Sequence, residues 1–301
     1  MQSASNRESI SSLASLTVFG TLGATSLAIW WGPLRSLFDM ALHNDQYTHI
    51  LLILPISAAL TILDWKPPET YSRLSVGIGS FFLVIAVLVT AVVRRNVVPL
   101  PSDVELSVNV LAFVLWWMAA FVLCFGTRAF RRALFPLCFL LWMVPFPDFV
   151  LNPIISLLQQ GSAAAAHWLF AAARVPVEQK GVLVHIPGLT VEVARECSSI
   201  RSSLMLVVTT MVLAQLLVRS PWRRILLVAV AIPLSVAKNG LRVFVIAMLA
   251  TRVDPSYLTG RLHHQGGIVF FLIALAAISL LLWILHHGEG DKPASRARRA
   301  D

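Results

Sequence analysis

The chain has 301 residues, 57 % of them hydrophobic and only 13 % charged, with a mean hydropathy of +0.77. Soluble domains carry about 25 % charged residues, so a water-soluble globular fold is excluded and a polytopic membrane protein is expected. The formal charge of +9 reads as loop Lys and Arg that orient spans, not as a nucleic-acid-binding face, and three cysteines give no disulfide framework.

Apolar runs of spanning length follow one another along the chain. After a short N-terminus (1–12), the run Leu13–Trp31 is long and ends in an aromatic pair, which suits a retained anchor better than a cleaved signal. Further spans are expected at Thr48–Leu63, Leu74–Val93, Leu106–Phe125 and Ala133–Val150. The Ala-rich stretch Pro153–Ala173 reads as an interfacial or re-entrant helix. The β-branched, partly alternating stretch Val182–Val193 then predicts a small hairpin turning at Pro187-Gly188. Ser198–Leu217, Ile225–Leu249 and Gly266–Leu285 complete eight spans, and a basic tail (286–301) follows. The whole of 1–301 is read as one integral-membrane domain.

Placing the loops of Arg128/Arg131/Arg132 and Arg219/Arg223/Arg224, with the tail, in the cytoplasm brings Arg7, Lys66 and Arg73 to the same side and puts thirteen of the 24 basic residues inside. Both termini are then cytoplasmic, and the hairpin lies outside the membrane. The pair Arg94-Arg95 runs against this bias.

Three positions carry chemistry at the outer ends of the late spans. Cys197, in Glu196-Cys197-Ser198-Ser199-Ile200-Arg201, precedes a helix whose N-terminal dipole favours a thiolate, and Arg201 adds positive charge one turn on. Cys124 and Cys138 sit inside apolar runs and read as small buried hydrophobes. Ser235, Lys238, Asn239 and Arg242 recur at i, i+3, i+4 and i+7, which gathers four polar groups on one face of an apolar helix. Pro233, one turn earlier, could kink that helix. Arg242 offers a fixed charge and a planar fork of donors suited to an oxyanion. His263 and His264 stand just before the last span. His43, His49, His167 and His185 also fall outside and stay open as bases, and Asp45-Gln46-Tyr47-Thr48-His49 is polar enough to line the same mouth.

The blocks Cys197-Ser198-Ser199-Ile200-Arg201-Ser202, Asn239-x-x-Arg242 and His263-x-x-x-Gly267-x-x-Phe270 resemble the three motif blocks of the exosortase/archaeosortase family. The resemblance extends to Asp45-x-Tyr47-x-His49 and to Trp142-Met143-Val144-Pro145-Phe146-Pro147. It implies an all-α integral-membrane cysteine transpeptidase of the inner membrane, with its site facing outward. Its partners would be exported proteins ending in a short motif such as Pro-Glu-Pro, a transmembrane helix and a basic cluster, with a lipid or amine acceptor at the surface. By the resemblance Cys197 is the nucleophile, Arg242 stabilises the thiolate or oxyanion, and His263, or His264 in its place, is the general acid/base. Asn239, Arg201, Lys238 and Ser235 are supporting. No metal or cofactor is called for. Ser199 stands where the family usually has glycine, and Ile268 where it has an aromatic.

Two other readings of the same residues stand beside this one. Lys238, Asn239 and Arg242 could line a transport path, although no repeat relates the two halves of the sequence. The chain could also be a non-catalytic membrane component of exopolysaccharide assembly.

Overall fold

The computed structural model describes residues 2–63, 73–97, 99–193, 200–258 and 261–290. It is a polytopic all-α membrane protein with one small three-stranded sheet. Among the described residues, six helices are each long and apolar enough to cross a membrane, and counting two bent pairs raises the number to eight. The chain divides after Leu151 into two compact units.

In the first unit, α1 (Gln2–Ile29) bends by 75° into α2 (Trp31–His43), a helix that hydropathy alone does not mark off. Pro33 is the reason. It has no N–H to offer the carbonyl of Ile29 four residues earlier, and the Arg94 guanidinium donates to that oxygen instead. Buried Trp30 sits at the bend, edge-on to Trp116 at 5.6 Å. A short turn, Asp45–Tyr47, leads into α3 (Ile50–Leu63); its preceding residue Asn44 accepts from the Gln46 N–H at 3.0 Å. Next come α4 (Arg73–Arg94) and the mostly buried α5 (Ser102–Arg132). These two lie close because Gly79 has no side chain: a Cβ there would stand 2.5 Å from Leu123. Cys124 is buried and Cys138 half-buried, and neither is in a disulfide.

The span expected at Ala133–Val150 is not one helix. The structure breaks it into α6 (Leu134–Phe139), a tight turn over Leu140–Met143, and an irregular step at 144–147, where Pro145 and Pro147 each remove a donor. Ser107 Oγ donates to the Pro145 carbonyl at 2.7 Å, and the Asp103 carboxylate accepts from the Asp148 N–H at 2.9 Å. That second bond caps α7 (Asp148–Ala172), which therefore starts five residues before the interfacial stretch read from sequence.

The second unit takes α7 from Asn152 onward and adds an antiparallel meander of β1 (Glu178–Lys180), β2 (Leu183–Ile186) and β3 (Leu189–Glu192). The expected hairpin is β2–β3, in the register His185 opposite Thr190, and Gly188 takes the positive φ (82°) that its turn needs. β1 is an addition; its polar Glu-Gln-Lys sequence carries no alternation to betray it. The exposed Glu178 carboxyl is held below its ordinary range by a hydrogen bond and the charge of Lys180. Three long helices follow: α8 (Ile200–Leu217), α9 (Pro221–Arg252) and α10 (Arg261–Gly290). α9 runs through Pro233 as a single helix of 32 residues. At about 1.5 Å per residue it is nearly 50 Å long, more than the roughly 30 Å hydrocarbon layer requires.

Candidate active site

The site is built on an antiparallel arrangement of α8, α9 and α10. At one end of these helices, Arg223 near the start of α9 donates to the Leu285 carbonyl of α10 at 2.6 Å. His286 Nδ1 of α10 donates to the Leu217 carbonyl, the last of α8, at 2.9 Å. Further along, Leu206 of α8, Ala231 of α9 and Ala274 and Ile278 of α10 form one buried layer. Beyond that layer lies the opposite end, where α8 and α10 begin.

Helical rise converts sequence number into depth. Arg242 lies eleven residues beyond Ala231 and His263 eleven residues before Ala274, so the two backbones stand about 16 Å from the shared layer on the same side. Ile200, the first residue of α8, lies about 9 Å from it on that side. Cys197 itself is outside the described residues. His263 and His264 fall in the first turn of α10, and their side chains are outside the described part.

The polar residues of α9 are all buried: Ser235 is 2 % exposed, Lys238 5 %, Asn239 1 % and Arg242 8 %. They do not share one partner. Lys238 Nζ donates to Ser202 Oγ in the first turn of α8, whereas Asn239 Nδ2 donates to Ser162 Oγ of α7 at 3.0 Å. Adjacent helical residues point about 100° apart, so α9 uses one to face α8 and the next to face α7. Ser235 Oγ turns back on its own helix, to the Ile232 carbonyl at 2.7 Å. Gly240 allows the α7 contact, since a Cβ there would meet Ala165 Cβ at 2.4 Å and the Ala166 nitrogen at 2.9 Å. Arg201, beside Ser202, is exposed at the head of α8.

The strand end leading to Cys197 is fixed from two sides. Val193 is fully buried; its N–H donates to the Val182 carbonyl at 3.0 Å, and its own carbonyl accepts from Gln159 Nε2 of α7 at 2.7 Å. Around it pack Ala163, Ala166 and Phe170 of α7, Val184 and Ile186 of β2, and Val243 and Ala247 of α9. The six residues 194–199 thus run from an anchored Val193 to a buried Ile200. Gln159, Ser162 and Ser202 were not among the candidates drawn from sequence. Gln159 and Ser162 are three residues apart, which puts them on one face of α7, and that spacing is the signal the sequence offers.

After α9, the Asp254 carboxylate accepts from the Ser256 N–H at 2.7 Å and is held below its ordinary pKa by that bond. The other candidate bases are scattered. His185 on β2 bonds Thr190 Oγ1 at 2.9 Å, and His43 in the first unit bonds the Asp39 carbonyl at 2.9 Å. His49 of Asp45-x-Tyr47-x-His49 is buried in the first unit, and His167 is half-buried on α7. Among the described residues no three His, Cys, Asp or Glu side chains are grouped as metal ligands.

The family model for transmembrane exosortases (Exosortase_EpsH) matches residues 30–280. No curated protein and no solved structure matches the chain.

Proposed function

Because the chain belongs to the transmembrane exosortase family, a group with a general role in membrane transpeptidation and protein sorting, we propose that it is a cysteine transpeptidase of the cytoplasmic membrane. Its substrates are exported proteins whose C-terminus carries a short motif, a transmembrane helix and a basic cluster. Both termini face the cytoplasm and the site faces outward. The observation that carries the reading is the common end of the α8–α10 arrangement, where Arg242, the first turn of α10 and the start of α8 stand on the same side of one packing layer.

In this mechanism Cys197 attacks as the thiolate, stabilised by Arg242 and by the positive end of α8. The sulfur bonds the scissile carbonyl carbon, and the negative charge that develops on its oxygen is met by Arg242. Collapse breaks the C–N bond; His263, as imidazolium, gives its proton to the leaving amine, which departs with the helix and basic tail. The thioester left on Cys197 is resolved by an amine of the acceptor, or by water, which gives its proton to the His263 imidazole and regenerates the thiolate. A substrate held by its own membrane helix reaches Cys197 already confined to two dimensions, which lowers the entropic cost of encounter.

Buried Lys238, Asn239 and Arg242 would also suit a transport path, and Cys197→Ser separates the two, since transport survives it and acyl transfer does not. The direct test is co-expression with an exported reporter bearing motif, helix and basic tail. The tail is lost with the wild-type protein and retained with Cys197→Ala; processing that continues without the thiol removes Cys197 from the mechanism.

A further inference from the structure

Lys238 is a buried cation whose described hydrogen bond goes to a neutral group, the Ser202 hydroxyl. Among the described residues of its unit no carboxylate meets it. Glu178 is taken by Lys180, Asp254 by the Ser256 N–H, and Glu192 is exposed at the end of β3. The charge that acts on Lys238 is Arg242, one helical turn away and of the same sign. A buried ammonium without an opposite charge is among the costliest arrangements a membrane helix can hold, and such residues mark the place where a ligand supplies what the fold lacks. An ammonium has three donors; one is used on Ser202, and two remain for an oxyanion.

We propose that Lys238 is a specificity-determining residue that receives a side-chain carboxylate, Asp or Glu, carried by the incoming polypeptide close to the scissile bond. This rests on the sorting reading, since Ser202 is five residues along the chain from the nucleophile Cys197. A carboxylate at Lys238 therefore arrives on the same segment that the thiolate engages, and no second ligand is required. The pair Lys238–Ser202 reads the acid, and Arg242 lies one helical turn further along α9.

The test uses the full-length Cys197→Ala protein in lipid nanodiscs and a labelled synthetic peptide comprising a Pro-Glu-Pro segment and its membrane helix, against the same peptide with Gln for Glu. The Glu peptide binds about tenfold or more tightly than the Gln peptide, the range of a hydrogen bond to a charged partner. Lys238→Gln abolishes that preference, and Lys238→Arg keeps most of it. Equal binding of the two peptides overturns the proposal, as does a preference that persists in Lys238→Gln. So does one that appears only in Glu196→Gln, which would make Glu196 the occupant. Discrimination in binding without processing by the wild-type protein leaves the carboxylate site standing and removes the sorting reading; processing without discrimination does the reverse.

Discussion

Asn239 donates to Ser162 at 3.0 Å across the α7–α9 contact, and the next residue, Gly240, lies against the Ala165–Ala166 backbone. One polar bond and one missing side chain thus hold α9 at a fixed distance from the helix that also grips Val193, the anchored residue before the Cys197 segment. Gly240→Ala drives a methyl into Ala165 and is expected to destabilise the protein by about 1–3 kcal/mol. Gly20→Ala, where a Cβ meets nothing within 4 Å, leaves stability unchanged or slightly raised. Thermal unfolding of both variants in detergent checks the contrast.

Gln159→Ala removes the donor to the Val193 carbonyl and is expected to cost about 1 kcal/mol. Its larger effect falls on the chain that leads to Cys197: processing slows while substrate binding holds, and Gln159→Asn does not restore it because the shorter side chain falls short of the carbonyl. Single-turnover rates measured beside peptide affinity distinguish this from a general loss of fold, in which both decline.

The Arg94–Ile29 contact supplies a double-mutant cycle. Arg94→Ala leaves the Ile29 carbonyl without the guanidinium that replaces the N–H Pro33 lacks, and a loss of about 1 kcal/mol is expected. In a Pro33→Ala background the intrahelical donor returns, so Arg94→Ala costs little. Additive losses would show that the two residues do not answer the same carbonyl.

The Asp254 cap gives a pH dependence of known sign. Its pKa is depressed by the Ser256 bond, so the contribution is present above the ordinary carboxyl range, about 3.9, and is lost as pH falls through the lower folded value. Protease nicking between α9 and α10 is expected to rise below about pH 4 in the wild type. In Asp254→Asn it stays insensitive to pH over that range.

Much of this architecture is readable in the sequence because apolar length is a one-dimensional signal. Residues 50–63, 73–94, 102–132, 200–217, 221–252 and 261–290 are helices where apolar runs predict spans, and the β2–β3 turn falls at Pro187-Gly188 as its composition requires. What escapes is tertiary. The step at 144–147 lies inside an apolar run, and hydropathy counts Pro145 and Pro147 as ordinary members of it. Arg94, which runs against the charge bias of the loops, has a task visible only when α4 is beside the α1–α2 bend. The face of α9 that spacing assigns to four polar residues is divided between α7 and α8, because neighbouring positions 238 and 239 turn to different helices. Ser162 and Ser202 look like ordinary small residues until their partners are seen.

Acyl transfer by Cys197 on a membrane-tethered substrate, with Arg242 in support, is the proposal to test first. The most direct measurement is mass spectrometry of the wild-type protein trapped with a tail-bearing reporter, with Cys197→Ala and Arg242→Ala in parallel. A covalent adduct is expected on Cys197, with a mass equal to the N-terminal fragment of the reporter joined as a thioester. No adduct forms in Cys197→Ala, and its formation is slowed by at least about a hundredfold in Arg242→Ala. Reporter cleavage at an equal rate in all three proteins, with no mass added at Cys197, would contradict it.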